Sequence, residues 1–384
     1  MRGHLRKRGK SSWQLKFDDG RDPKTGKRRT RFRTVRGSRK DAEAVLRTLL
    51  YELDRGVFVD PGKLTVAEFL RSWVDDYAKT NVSRKTFERY NEIVEKHLIP
   101  AFGGLKLSAL RPVHIQREWG KAQQSGRRDG KGGLSAQTIQ HHHRVLSLAL
   151  TYAVRLQLLS TNPAKGVVPP RVERREIAVF SDSELAALLK AIQGTRLYMP
   201  VLLASTTGLR RGEVFGLRWQ DVDLENATLS VVQALEQTKS GLRFKAPKTS
   251  RSRRKISLPE LTVEALRVHK GQQAGERLAL GQGKDPDDLV FTDLDGTRVN
   301  MERVSRKFSE KVRRLGLPRV TFHGLRHTHL TQLLRTGVHP KIASERAGHS
   351  SVSMTLDTYS HVIPGMQEDA AKKVDMAMRT ALER

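Results

Sequence analysis

The sequence predicts a multidomain α+β protein. It has a small N-terminal three-stranded sheet plus a helix, an all-α middle region, and a mixed, helix-rich third region with a small antiparallel sheet. Three observations predict this. Apolar and basic residues alternate over the first forty positions, helical periodicity is unbroken from Leu64 to about Ala164, and a β-like section, "FKAPKTSRSRRKISLP", interrupts the helices of the last two hundred residues.

The elements follow in order. "SSWQLKFDDGRDPKTGKRRTRFRTVRGS" alternates around turn signals at Asp19-Gly20 and Thr25-Gly26, giving short antiparallel strands with Trp13, Leu15, Phe17 and Phe32 to bury. The helix "RKDAEAVLRTLLYELDRG" carries an apolar stripe of Ala44, Leu46, Leu49, Leu50 and Leu53. "GVFVDPGK" reads as a linker. Four helical stretches follow: "LTVAEFLRSWVDDYAKT"; "SRKTFERYNEIVEKHLIPAFG", started by Ser83 and stopped by Pro100 and Gly103; "RPVHIQREWGKAQQSG", with Pro112 near its start; and "LSAQTIQHHHRVLSLALTYAVRLQLL", capped by Ser135. In the last, His141, His142 and His143 point about 100° apart on a helix and cannot share one ligand sphere, so they read as a polar face. After "NPAKGVVPPRVERRE" the third region opens with "FSDSELAALLKAI", where Ser181 and Glu184 have capping-box spacing.

Composition narrows the function. The 384 residues carry a formal net charge of +30 and contain no cysteine. Such a surplus self-repels unless a polyanion neutralises it, which makes nucleic acid the first partner to consider and an anionic membrane surface the rival. The absence of cysteine excludes disulfides, thiolate metal sites and thiol nucleophiles. No apolar run approaches the ~18 residues needed to span a bilayer. No apolar stretch follows the basic N-terminus, so no secretory signal is read there and the expected setting is the cytoplasm. The first forty residues alone hold sixteen Lys or Arg against three Asp, so the N-terminal sheet is suited to lie against DNA.

Five pieces of the third region hold polar groups that an ordinary core would avoid. In "TGLRRGEV", Leu209, Val214 and Leu217 mark a buried side, and Arg210 sits among them with Glu213 three residues on to pin it. The hairpin-like "FKAPKTSRSRRKISLP" belongs to a stretch with seven basic residues between Arg243 and Lys255, mostly suited to phosphate contacts, and a lysine at its tip could donate a proton. In "TFHGLRHTHL", His323 and His327 have the spacing of a zinc pair, but Gly324 stands where the familiar metal helix has Glu. His323 and Arg326 share a helix face. A cation beside arginine is repelled, whereas a phosphate is gripped by guanidinium and imidazole together, so the pair reads as an anion clamp. "ERAGHSS" places His349 in a Gly-His turn, and "TLDTYSHV" places Tyr359 in a polar loop or short helix.

"TGLRRGE", "PKT", "HGLRHTH", "GHSS" and "DTYSH" occur in the order and spacing of the tyrosine recombinases, the phage-integrase family, which the chain resembles over nearly its whole length. The resemblance implies an arm-type DNA-binding domain at 1–56, a linker at 57–63, a helical core-DNA-binding domain at 64–164, and a catalytic domain with a C-terminal tail helix at 174–384. It implies that Arg210 and Arg326 hold the scissile phosphate with His323 and His349, that Lys248 protonates the leaving oxygen, that Tyr359 is the nucleophile, and that Glu213 supports Arg210. Lys245 and Lys239 are nearby rivals for the lysine role, and His327 and His329 fall outside the family's catalytic set as structural residues. Two departures touch no catalytic position: Ala347 replaces a common leucine, and Arg211-Gly212 a more apolar or small pair.

The implied activity is site-specific integration and excision of a phage or mobile element. It acts on double-stranded DNA at core and arm attachment sites, as a homo-tetramer in a bacterial, nucleoid-associated setting. There is room for a directionality factor or a host DNA-bending protein. Side chains meet the phosphate charge and the phosphotyrosyl link conserves bond energy, so neither metal, ATP nor another cofactor is expected. A type IB topoisomerase and a DNA-binding regulator without catalysis are the alternatives. In the tail, Ala371, Val374, Met378 and Leu382 form a narrow apolar stripe suited to assembly, or to folding back on its own domain.

Overall fold

A computed structural model of the chain describes residues 3–21, 28–54, 63–173, 177–246, 253–283, 287–359 and 366–382. It divides into two compact units, Met1–Glu173 and Arg174–Arg384. No helix among the described residues is long and apolar enough to cross a membrane.

The first unit begins with an antiparallel sheet of β1 (Gly3–Gly9), β2 (Ser12–Arg21) and β3 (Arg28–Arg36) in the order β1-β2-β3, followed by α1 (Arg39–Asp54). Period-2 alternation sends Leu15 and Phe17 to one face, where they meet Ala42 and Leu46 of α1 in a small core. Phe32, expected in that core, is 60% exposed. It pairs across with Lys16, one register step away from Leu15, which places it on the opposite face. Ala44, expected on the buried stripe of α1, is also exposed. The inward side is Ala42 and Leu46 with Val45 and Leu50 beside them, while the side chains of Leu49 and Leu53, and nearly all of the linker, lie outside the described residues.

The helical part of this unit has a core of its own. α2 (Val66–Ser72) opens with a Thr65–Glu68 capping box and winds through a π turn, Trp73–Ala78, into α3 (Lys79–Asn81). α4 (Arg84–Ile93) likewise passes through a π turn, Val94–Leu98, into α5 (Ile99–Phe102). Pro100 therefore does not stop this helix. The Ile99 N–H reaches back five residues to the Val94 carbonyl, so the winding changes just before the proline, and the helix ends at Gly103. α6 (Pro112–Ser125) and α7 (Ala136–Arg155), the latter capped by Ser135, complete the bundle. The three histidines of α7 do not form one polar face. His142 is buried against His97 with ring centroids 4.3 Å apart, and His143 Nδ1 accepts from Trp119 Nε1 at 3.2 Å, while His141 is exposed.

The second unit starts with α8 (Asp182–Ile192), whose Ser181–Glu184 capping box forms as the spacing predicts, then α9 (Tyr198–Thr207) and α10 (Arg211–Phe215). β4 (Val222–Asp223), β5 (Thr228–Val231) and β8 (Arg254–Ser257) make one antiparallel sheet, and β6 (Ala234–Thr238) and β7 (Gly241–Lys245) a separate hairpin. The stretch predicted as one hairpin thus belongs to two sheets. Its first residues pair back onto β6, whereas Ile256 pairs with Leu229 in the core and draws β8 onto β5. Five helices follow: α11 (Glu260–Ala279), α12 (Met301–Arg314), α13 (Gly324–Arg335), α14 (Pro340–Ala347) and α15 (Val352–Tyr359). The tail helix α16 (Met366–Leu382) ends the described chain, with Val374, Met378 and Leu382 exposed.

Candidate active site

α9 and α14 each end in a glycine with left-handed backbone, Gly208 at φ 68° and Gly348 at φ 67°. Neither tolerates a side chain. A Cβ would stand 2.7 Å from His329 Cδ2 at Gly208 and 2.9 Å from Arg254 Nη1 at Gly348. These two turns set the carbonyls that hold the arginines. Arg326 Nη1 donates to Gly208 O at 2.9 Å and to Ala347 O at 2.7 Å, and Arg210 Nη2 donates to Gly348 O at 2.8 Å. The small Ala347 is itself buried.

Arg326 is 3% exposed, and its Nη2 is buried without a hydrogen-bond partner among the described residues. Burial, and then the neighbouring Arg210 cation, pull its pKa down to about 9, so it stays charged at neutral pH. A buried cation with an unused donor is costly unless an anion completes it.

Arg210 caps α10 and pairs with Glu213 at 2.8 Å. Glu213 is also gripped through both oxygens by Arg254, at 3.2 and 2.8 Å, and Arg254 Nε donates to Arg346 O. Burial alone would raise the Glu213 pKa. The Arg254 hydrogen bonds and charge, with Arg210, outweigh it and hold the carboxyl below its usual value. Arg254 was expected at the phosphate-binding surface of a basic hairpin. Its side chain is only 7% exposed and braces the site, and nothing local in the sequence signals a partner 41 residues away. Arg211 ties α10 to α12 through Ser305 Oγ at 2.6 Å. Gly212 is required there, because a Cβ would meet Leu235 O at 2.5 Å.

His323 stands at the N-cap of α13, and its ring meets that of His327 edge-on at 5.4 Å. Burial and the charges of Arg326, Arg210 and Arg211 lower its pKa. His349, just after Gly348, engages Thr355 Oγ1 through Nδ1 at 2.8 Å; burial and the same two arginines, Arg326 and Arg210, bring it to about 4. Tyr359 is the last residue of α15 and 2% exposed, packed in a cluster with Leu330, Leu334, Ala343 and Ala347. Burial lifts its pKa to about 12 against the pull of Arg326. Its hydroxyl contacts His327 Nδ1 at 2.5 Å, a contact that reading His327 as structural missed.

Lys248 lies outside the described residues. Of its rivals, Lys245 donates to Glu236 Oε1 at 3.0 Å, on the hairpin itself. His327 is brought to about 4 by burial, then His323 and Arg326; it is the Arg326 charge beside it, not the shift, that disfavours a cation here.

A family model described as "Phage integrase family" matches residues 178–365, and one described as "Phage integrase, N-terminal SAM-like domain" matches residues 65–121. A protein of Caldanaerobacter subterraneus subsp. tengcongensis named "Tyrosine recombinase XerC-like" is 30% identical, covering 96% of this chain and 97% of its own. The chain belongs to the phage integrase family of tyrosine recombinases. As such it is an enzyme of site-specific recombination. The recombinase is similar in fold to the Tn1549 transposon integrase in complex with a circular intermediate DNA, at 21% identity and a TM-score of 0.67 over 81% of this chain and all of that one. It is also similar to a lambda integrase tetramer bound to a Holliday junction, at 20% identity and a TM-score of 0.56 over 92% of this chain and 95% of that one.

The buried histidines of the recombinase predict a steep acid limit. His329 is 6% exposed, accepts from Arg346 Nε at 3.2 Å, and is driven by burial and that cation to about 3. A histidine depressed on folding stabilises the fold fully above its unfolded pKa of about 6.5 and loses that contribution as pH falls toward the folded value. Unfolding then takes up a proton, and each such group costs about 1.4 kcal/mol per pH unit across the window. With His142, His327 and His349 shifted the same way, urea unfolding at pH 7, 6 and 5 should show uptake rising from one to about four protons. A urea midpoint unchanged over that range would mean that these rings ionise in the folded state at no cost.

Proposed function

We infer that the recombinase cleaves and rejoins double-stranded DNA through a 3′-phosphotyrosyl link on Tyr359, integrating and excising a phage or mobile element. The observation that carries the residue assignment is the buried Nη2 of Arg326 beside Arg210, unpartnered among the described residues, in a site where the carboxylate of Glu213 is already shared by Arg210 and Arg254. The remaining positive charge fits a phosphodiester. Arg210 and Arg326 take its non-bridging oxygens, His323 and His349 donate beside them, and together they compensate the charge gathered during attack. Glu213 holds Arg210 and, with Arg254, the floor beneath it. Lys248 supplies the proton to the departing 5′ oxygen. Lys245 is the weaker candidate because Glu236 already holds it.

The N-terminal sheet, with Arg6, Lys16 and Phe32 on the face away from its core, serves arm sites, and the helical bundle after Leu64 serves the core site. The exposed apolar side chains of α16 support assembly between protomers, four of them on two DNA sites. A directionality factor or host DNA-bending protein would act on that assembly.

Trapping tests the reading. The full chain is incubated with fragmented element and host DNA in EDTA, covalent complexes are isolated under denaturing conditions, and the captured ends are sequenced. The expected result is a covalent adduct at one pair of sequences. A chain starting at Leu64 should form the same adduct with a shallower salt slope, each lost phosphate contact removing about 0.9 from it. No adduct, or an adduct only with added magnesium or zinc, would sink the assignment.

A further inference from the structure

We propose that His327 is a catalytic residue of the recombinase, the group that takes the proton of the Tyr359 hydroxyl as the phenol oxygen attacks phosphorus. This rests on the reading of Tyr359 as nucleophile. The ground is geometric. His327 Nδ1 lies 2.5 Å from Tyr359 Oη, with the two ring centroids 5.8 Å apart, and this is the hydroxyl's one hydrogen bond among the described residues.

No other acceptor among the described residues hydrogen-bonds the phenol. His349 Nδ1 is bonded to Thr355, and Glu213 is shared by Arg254 and Arg210. On α13 the spacing divides the labour. His323 and Arg326 are placed for the phosphate, and His327, one turn beyond His323, meets the nucleophile arriving on α15.

The surroundings couple this proton transfer to DNA. His327 is faced by His323 and Arg326 from its own helix segment, by Tyr359 from α15, and by His349 from the turn after α14. In the free protein the phenol at about 12 and the imidazole at about 4 keep the proton on oxygen. The nucleophile is then inert. A phosphodiester bound at Arg210 and Arg326 brings negative charge beside the imidazole and favours the imidazolium. That charge grows as attack proceeds.

The step balances. The Tyr359 O–H bond breaks and its proton passes to Nδ1. The electron pair left on oxygen forms the O–P bond, and the P–O5′ bond breaks with its pair on the 5′ oxygen, which takes a proton from the acid assigned to Lys248. On rejoining, the 5′ hydroxyl attacks phosphorus, and the expelled Tyr359 oxygen recovers its proton from His327.

The test uses the full chain and a nicked suicide substrate carrying the trapped core site. Single-turnover adduct formation is followed for the wild type and His327→Asn between about pH 6 and 9. Asparagine sets an oxygen near the place of Nδ1, so it keeps the hydrogen bond but cannot take the proton. The variant should bind the site like the wild type and form adduct about 10²–10³-fold more slowly, with a rate rising about tenfold per pH unit as hydroxide replaces the base. The wild-type rate should be flat above neutrality. Adduct formation within about threefold of wild type and with the same pH profile would overturn the proposal. If the wild type itself forms no adduct, the recombination assignment fails instead.

A second measurement covers a His327→Asn chain that does not bind DNA. In protein labelled with ¹⁵N-histidine, one unprotonated Nδ1 resonance should shift on Tyr359→Phe. No shift, or a protonated Nδ1 at that ring, overturns the proposal equally.

Discussion

Tyr359→Phe is expected to abolish the covalent DNA adduct completely while leaving site binding within about twofold of wild type. The substitution removes one oxygen and keeps the ring that packs among Leu330, Leu334, Ala343 and Ala347. The fold loses a single hydrogen bond, to His327, worth about 1 kcal/mol. Among the described residues, Tyr198 and Tyr152 are poor reserves. Tyr198 opens α9 and packs against the main core of the second unit, and the Tyr152 ring packs tilted against Tyr77, centroids 4.7 Å apart, in the helical bundle. The comparison is made on a nicked suicide substrate, with adduct read on a denaturing gel and binding on a native one. An adduct of ordinary yield from the Phe variant would place the nucleophile elsewhere and remove the basis of the His327 proposal with it.

Arg326→Lys should cost about 10²–10³ in adduct formation although it conserves the charge. Arg326 spends one nitrogen on two carbonyls, Gly208 O and Ala347 O, and keeps a second, Nη2, buried and without a partner among the described residues. A planar guanidinium can do both because its donors diverge from one rigid plane. A lysine ammonium is a single point. It can satisfy the two glycine-turn carbonyls or reach the phosphate, but not both at full strength. Binding should fall little, because many other cations meet the DNA backbone, so the loss belongs in the single-turnover rate. A Lys variant that cleaves within about tenfold of wild type would show that charge alone suffices at this position.

Much of this was legible in the sequence because it rests on local spacing. The Ser181–Glu184 box, the Ser135 cap, the Arg210–Glu213 pair and the buried positions Leu209, Val214 and Leu217 are all set within three to eight residues of one another. Helical and strand periods act over that range, so pattern alone finds them. The N-terminal strands were legible for the same reason. Phe32 was misplaced because a strand's inward face depends on the register adopted with its neighbour. Pro100 reads as a stop only if the winding stays α-helical, and the π turn before it changes that condition.

What the sequence determined by itself was the class of protein, and it offered a candidate inventory for the site: a basic α+β chain with two arginines, two histidines, a lysine and a tyrosine in one ordered set of motifs. What only the tertiary structure decided was which of these groups are joined and which are left open. Arg210 reaches a carbonyl 138 residues away, Arg326 one 118 residues away, Arg254 a carboxylate 41 away, and Tyr359 an imidazole 32 away. Hydrogen bonds depend on distances of about 3 Å and on angle, and positions this far apart in the chain acquire such geometry only when helices and sheets pack. The two left-handed glycine turns that aim the carbonyls, and the buried donor of Arg326 left without a partner among the described residues, are therefore products of packing rather than of pattern.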